Sequence, residues 1–125
     1  MPTIDNGPMP TDWKVYVGDA NEVLFEFSLN GDPWDLTTAE ILAEARKTAS
    51  DPEIVAAATV TAVDLMLGRV LISWDGEALR AALGTAESWT GVFDLQIHPS
   101  GELPRTVLRG AFVITMDVSR GGVPG

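Results

Sequence analysis

The most regular feature of the chain is an alternation of apolar and polar side chains with a period of two, the mark of strands that bury one face. It begins at Trp13, where Trp13, Val15 and Val17 alternate with Lys14 and Tyr16. A Gly18-Asp19 turn leads to Val23, Phe25, Phe27 and Leu29, which alternate with Leu24, Glu26 and Ser28, so the two runs form a first strand pair. Asn30-Gly31-Asp32-Pro33 supplies glycine for a positive φ and proline for a fixed one, and predicts a reversal into Trp34-Asp35-Leu36. Further on, Val70, Ile72 and Trp74 oppose Arg69, Leu71 and Ser73. The last third predicts a hairpin: Trp89, Gly91, Phe93, Leu95 and Ile97 share one face. After Pro99-Ser100-Gly101, Leu108, Phe112, Ile114, Met116 and Val118 share the next, with Arg109, Thr115 and Asp117 opposite.

Two stretches break this rhythm. Asp75 is a candidate N-cap, Ala78, Leu79, Ala82 and Leu83 recur at helical spacing, and Gly84 stands where a glycine ends a helix, which predicts one short helix over about 76–83. Thr37 followed by Glu40 is a capping-box pattern, and Ala39 to Ala45 holds good helix formers. The same residues also read as a strand, with Ile41, Ala43 and Ala45 on one side and Glu40, Glu44 and Arg46 on the other. Local evidence leaves both readings open. Ile54 to Val63 is rich in β-branched residues, but its alanines blur the pattern.

The ends differ from the middle. Residues 1–12 hold three prolines, a glycine and, beyond Met1, only Ile4 and Met9 as large apolar side chains, which predicts an extended arm free to lie on a neighbouring molecule. Ile4 and Met9 are therefore candidate interaction residues. Residues 121–125 read as a flexible tail, leaving 13–120 as one domain. About seven short strands with turn signals between them match an all-β, immunoglobulin-like β-sandwich.

Composition narrows the function. The chain has 125 residues, enough for one core, and no cysteine, so neither disulfides nor thiolate metal sites enter. Eight Lys and Arg against 18 Asp and Glu give a net charge of −10, which repels a phosphate backbone and argues against direct nucleic-acid binding. The start lacks a basic segment followed by an apolar one, and no run approaches the roughly 20 apolar residues of a membrane span. A soluble protein without a secretion signal is expected, with no membrane partner.

Candidate chemistry is sparse. His98 is the one histidine, placed before Pro99 at a strand end, where a solvent-facing turn residue is expected. No glycine cluster forms a phosphate-cradling loop. Asp5-Asn6, Asp19-Asn21 and Asn30-Asp32 invite a calcium hypothesis, but they lack EF-hand spacing and fit turns that bond their own backbone. Of four tryptophans, Trp13, Trp74 and Trp89 fall on apolar faces, and Trp34, beside a turn, is the candidate exposed contact. No catalytic, cofactor-binding or metal-binding residue is expected.

In order along the chain, the segments Trp34-Asp35-Leu36-Thr37, Ala45-Arg46-Lys47, Gly68-Arg69-Val70-Leu71-Ile72, Trp89-Thr90-Gly91-Val92-Phe93-Asp94-Leu95 and Thr106 to Ile114 form a pattern. That pattern is similar to the immunoglobulin-like N-terminal domain of phage baseplate upper proteins and to related small minor tail proteins. The resemblance spans roughly Trp13 to Arg120 and implies that the Asp-Leu-Thr segment leads into a strand, in place of a helix at Ala39 to Ala45. It also implies a non-enzymatic virion structural protein of the tail or baseplate, assembled in the host cytoplasm and docked onto other virion proteins in a symmetric arrangement of copies. Larger relatives continue into coiled-coil and receptor-binding regions that this sequence lacks, so docking is expected and receptor contact is not. The competing expectations are a capsid decoration protein and a carbohydrate-binding module that uses Trp34.

Overall fold

The computed structural model describes residues 3–18 and 21–116. Seven strands of five or more residues carry the fold, together with three short ones. In chain order they are β1 (Thr3–Asp5), β2 (Met9–Pro10), β3 (Trp13–Val17), β4 (Glu22–Leu29), β5 (Asp32–Pro33), β6 (Glu40–Arg46), β7 (Ala56–Asp64), β8 (Arg69–Trp74), β9 (Ser88–His98) and β10 (Arg105–Met116). One α-helix, α1 (Gly76–Leu83), lies between β8 and β9, and a single 3-10 turn at Leu65–Leu67 links β7 to β8. The strands form a nearly closed sheet in the order β1-β4-β8-β7-β6-β9-β10-β2, with β3 also on β10 and β5 on β4.

The elements follow from the patterns that predicted them. The β9–β10 hairpin pairs Ile97 with Arg105 at the loop end and Ser88 with Thr115 at the other. Its inward face buries Phe93, Leu95, Ile97, Leu108, Phe112 and Ile114. Asp75 caps α1 by accepting a hydrogen bond from the Ala78 N–H at 3.2 Å, Gly84 ends it, and Leu79 and Leu83 face the core. Glu40–Arg46 is a strand in spite of its helix-forming residues. Paired along its length with β9, it buries Ala43 and Ala45. Tertiary pairing overrides a propensity worth only tenths of a kcal/mol per residue.

β7 joins the two halves of the sheet. Its first residues, Ala56 and Ala57, pair with Ala45 and Glu44 of β6, and the rest pairs with β8. Ala45 and Ala56 oppose each other at this junction and both are buried. Small side chains suit a place where one strand passes from one half of the sheet to the other. The alanines that blur the sequence pattern thus mark that passage.

Trp13 stands at the centre of the core, edge-on to Phe25 of β4, Trp74 of β8 and Phe93 of β9 at centroid distances of 5.6, 5.5 and 5.5 Å. Phe112 continues the cluster, 4.6 Å from Trp74 and 6.2 Å from Phe93. Such pairs add about 0.5–1.5 kcal/mol each beyond the area they bury.

Several expectations need correction. β3 and β4 follow each other in sequence but do not pair. β3 runs parallel to β10, Trp13 beside Phe112 and Val17 beside Met116, so the first strand pair is not a hairpin. The N-terminal segment is extended but not free. β1 pairs in parallel with β4, Ile4 beside Phe27, and the chain then crosses to β10, where β2 sets Met9 beside Leu108. Two irregularities in β10 admit this crossing. Val107 is the extra residue of a bulge between Thr106 and Leu108, is buried, and lies under Gly7, whose missing Cβ would stand 2.7 Å from the Val107 Cα. At Gly110 a Cβ would overlap the Thr11 carbonyl oxygen. Met116, expected to face inward, is 47% exposed at the strand end. Asp19, Asp117, Val118 and the segment 121–125 lie outside the described residues.

Candidate functional site

The three residues singled out as contacts have different fates. Ile4 is 4% exposed and belongs to the core, because its position in β1 points it inward beside Phe27. Trp34 is 9% exposed: its ring lies under the Arg105 guanidinium, 5.6 Å away, so it offers no open platform. Met9 is 47% exposed. Ile4 and Met9 line the same groove, and Trp34 does not take part in it.

That groove, of about 330 Å³, runs along the seam where the sheet stays open, between β4 on one side and β2 and β3 on the other. Ile4, Trp13, Val23, Phe25 and Leu108 form its apolar lining, and Thr11, Asp12 and Lys14 lie at its rim with Met9. Trp13, Val23 and Phe25 are visible in sequence only as inward positions. Their meeting across the seam depends on β3 pairing with β10, which no local signal gives.

A second groove, of about 430 Å³, lies on the outer face of β6, β9 and β10 and is closed at one side by Pro10. Glu44, Arg46, Asp94 and Arg109 line it. Cross-strand register sets Glu44, Asp94 and Arg109 in a row, and the Arg46 guanidinium reaches Glu44 at 3.0 Å and Asp94 at 4.0 Å. Burial pushes the Asp94 carboxyl above its ordinary range. Arg46 opposes that rise, Glu44 adds to it, and a Gln96 hydrogen bond opposes it. This row combines two acids with two cations, a self-neutralising set and not a field of one sign.

The turn acids bond to their own fold. The Asp5 carboxylate accepts from the Ser28 hydroxyl at 2.7 Å and the Gly31 N–H at 2.9 Å, and these bonds hold its pKa below the usual carboxylate value. Asn6 accepts from the Asn30 N–H at 2.8 Å, and Arg105 donates to the Asn6 carbonyl at 3.1 Å. Asp5, Asn6 and Asn30, from two of the pairs that invited a calcium reading, therefore meet as a clasp between turns, their side-chain oxygens accepting from N–H and O–H donors. Asp35 is likewise held low by the Thr37 hydroxyl and N–H. His98 is exposed at the end of β9, opposite Glu40. Among the described residues, no three His, Cys, Asp or Glu side chains converge. No helix among them is long and apolar enough to cross a membrane.

Exposed apolar side chains gather at one place in sequence, the end of β7 and its connection to β8, where Val63, Met66 and Leu67 are 54, 69 and 37% exposed. Leu65, between them, turns inward to the core.

No family model matches the chain, and no curated protein matches it. Among solved structures it is similar to one described as the N-terminal domain of phage TP901-1 ORF48, at 13% identity over 93% of this chain and 98% of that one, with a TM-score of 0.49.

Proposed function

We propose that this chain is a non-enzymatic structural protein of a bacteriophage particle, a tail or baseplate component that docks onto other virion proteins. The observation that carries the reading is the strand at Glu40–Arg46. Local propensity offers a helix there, whereas the sequence pattern resembling baseplate upper proteins requires a strand after Asp35-Leu36-Thr37. Further support comes from the other segments of that pattern: Arg69 to Ile72 lie in β8, Trp89 to Leu95 in β9, and Thr106 to Ile114 in β10.

The finer fold reading is an immunoglobulin-like sandwich, with β4, β8 and β7 as one layer and β6, β9, β10 and β3 as the other. Parallel pairing of a first strand with the last, and a single strand that turns the corner between layers, favour it. A non-enzymatic role is favoured by the place of His98, the one histidine, at an exposed strand end and by the engagement of Asp5 and Glu44 with backbone donors or Arg46. Burial of Trp34 beneath Arg105 removes the platform that a carbohydrate-binding role had relied on. A symmetric arrangement of copies in the particle and assembly in the host cytoplasm belong to the same proposal.

Mass spectrometry of gradient-purified particles, with gold labelling of a tag on the chain, tests it. The chain is expected in a fixed ratio to the tail proteins, with label at the tail. Label spread over the head would replace the tail reading with capsid decoration, and absence from particles would end the virion reading.

A further inference from the structure

We propose that the open seam between β3 and β4 is a strand-docking site that takes a short, extended, basic segment of a neighbouring protein. The inference rests on the virion reading only for where that neighbour is found.

Backbone direction defines the site. The Phe27 N–H donates to Gly68 and the Trp74 N–H donates to the Asn21 carbonyl, so odd-numbered residues of β4 point their backbone groups toward β8. The even-numbered ones point the other way, as the bond from the Asn6 N–H to the Ser28 carbonyl shows. On that side β1 pairs with β4 only from Glu26 to Ser28. Among the described residues, Glu22 and Leu24 have no strand opposite them there. Across the groove, the outward backbone groups of Tyr16 are taken by the Asn21 side-chain amide, which accepts from its N–H and donates to its carbonyl, both at 3.1 Å. Among the described residues, the exposed ladder is thus restricted to about Glu22–Leu24 and the facing Lys14, beside the apolar lining of Ile4, Trp13, Val23 and Phe25.

Such a site suits strand addition. Main-chain hydrogen bonds to an edge give affinity, and alternate side chains enter a pocket. The length of free edge fits a segment of a few residues and is too short for sheet-to-sheet pairing of two domains. Charge selects the partner. Asp12, whose carboxylate also accepts from the Ala111 N–H at 3.3 Å, and Lys14 balance each other at the rim, Glu22 is exposed at the start of β4, and the chain as a whole carries a net charge of −10. Two copies meeting there would bring like charges together, whereas a segment with basic residues flanking its apolar ones would be drawn in.

The test uses the whole chain and two synthetic peptides, Lys-Val-Lys-Val-Thr-Val-Lys and the same sequence with glutamate for lysine. Binding is followed by titration and by hydrogen exchange of individual amides. The lysine peptide is expected to bind, to slow exchange of the Leu24 amide, and to bind at least about tenfold more tightly than the glutamate peptide. Leu24→Pro removes an outward N–H that no strand among the described residues uses, a change edge strands tolerate, and is expected to weaken binding about tenfold. If that variant does not fold, Leu24 exchange in the unmodified chain decides. No binding up to about 1 mM peptide, or binding without protection of Leu24, overturns the proposal. Self-association abolished by Leu24→Pro would overturn it in favour of a second copy. A chain present in particles that fails the peptide test loses only this inference, and a chain that passes the test but is absent from particles loses only the virion reading.

Discussion

Ile4→Ala is the substitution that most sharply separates an N-terminal segment built into the core from an arm lying on the surface. Ile4 is 4% exposed and sits beside Phe27, which is fully buried. Alanine removes three carbons from that position, worth about 0.8 kcal/mol each in lost burial, or about 2.4 kcal/mol. The cavity term that raises many core truncations toward 5 kcal/mol should be small here, because Ile4 lines the seam groove and the void opens toward solvent. A loss of about 2–3 kcal/mol is therefore expected. Urea unfolding followed by tryptophan fluorescence measures it, with Trp13 and Trp74 in the core as reporters. The midpoint should fall while the slope of the transition stays unchanged. A loss below about 0.5 kcal/mol, the range of ordinary surface substitutions, would refute the packing of β1 into the core. Met9→Ala serves as the control, since Met9 is half exposed on the same segment and should cost far less.

Other outcomes follow from the same geometry. Gly110→Ala should cost about 3 kcal/mol or prevent folding, as measured by thermal melting, because the new Cβ meets the Thr11 carbonyl where the chain crosses β10. Arg69→Leu should change stability by less than about 1 kcal/mol, since its ion pair with Glu26 at 2.9 Å is partly exposed and solvent-screened. Asp94→Asn should stabilise the fold at pH 7, with Arg46 keeping its bond to Glu44. A carboxyl whose pKa is raised by folding binds more protons in the folded state, so it weakens stability above its folded pKa and ceases to do so below the unfolded value. The gain from Asp94→Asn should thus vanish as urea midpoints are followed down through the carboxylate range. Asp5 has the opposite sign: its lowered pKa contributes stability that is lost on acidification through the folded value. Asp5→Ala should therefore show a shallower loss at low pH than the unmodified chain.

What the sequence reveals and what it hides divide along the range of the interactions. The β9–β10 hairpin, β8 and α1 are legible because alternation, a capping aspartate and a closing glycine are local signals. The partner of β3 is not, because pairing Trp13 with Phe112 spans most of the chain and leaves no mark on either residue. The segment before Trp13 looks free because one isoleucine among prolines has no periodicity to declare its inward face. Its place depends on Gly7 and Gly110, each of which reads in isolation as an ordinary turn glycine. Trp34 looks exposed because the arginine that covers it comes from the far side of the sequence. At the seam, inward positions such as Val23 and Phe25 are readable, but the groove they form is a property of how the sheet fails to close.

The virion reading is most directly tested by a cryo-electron microscopy map of intact phage particles produced by cells that carry the gene for this chain, at a resolution that separates strands. The account predicts symmetric copies of this fold at the tail, each in contact with another tail protein. A well-resolved tail and baseplate containing no density for the fold, in particles shown to be complete and infectious, would contradict it.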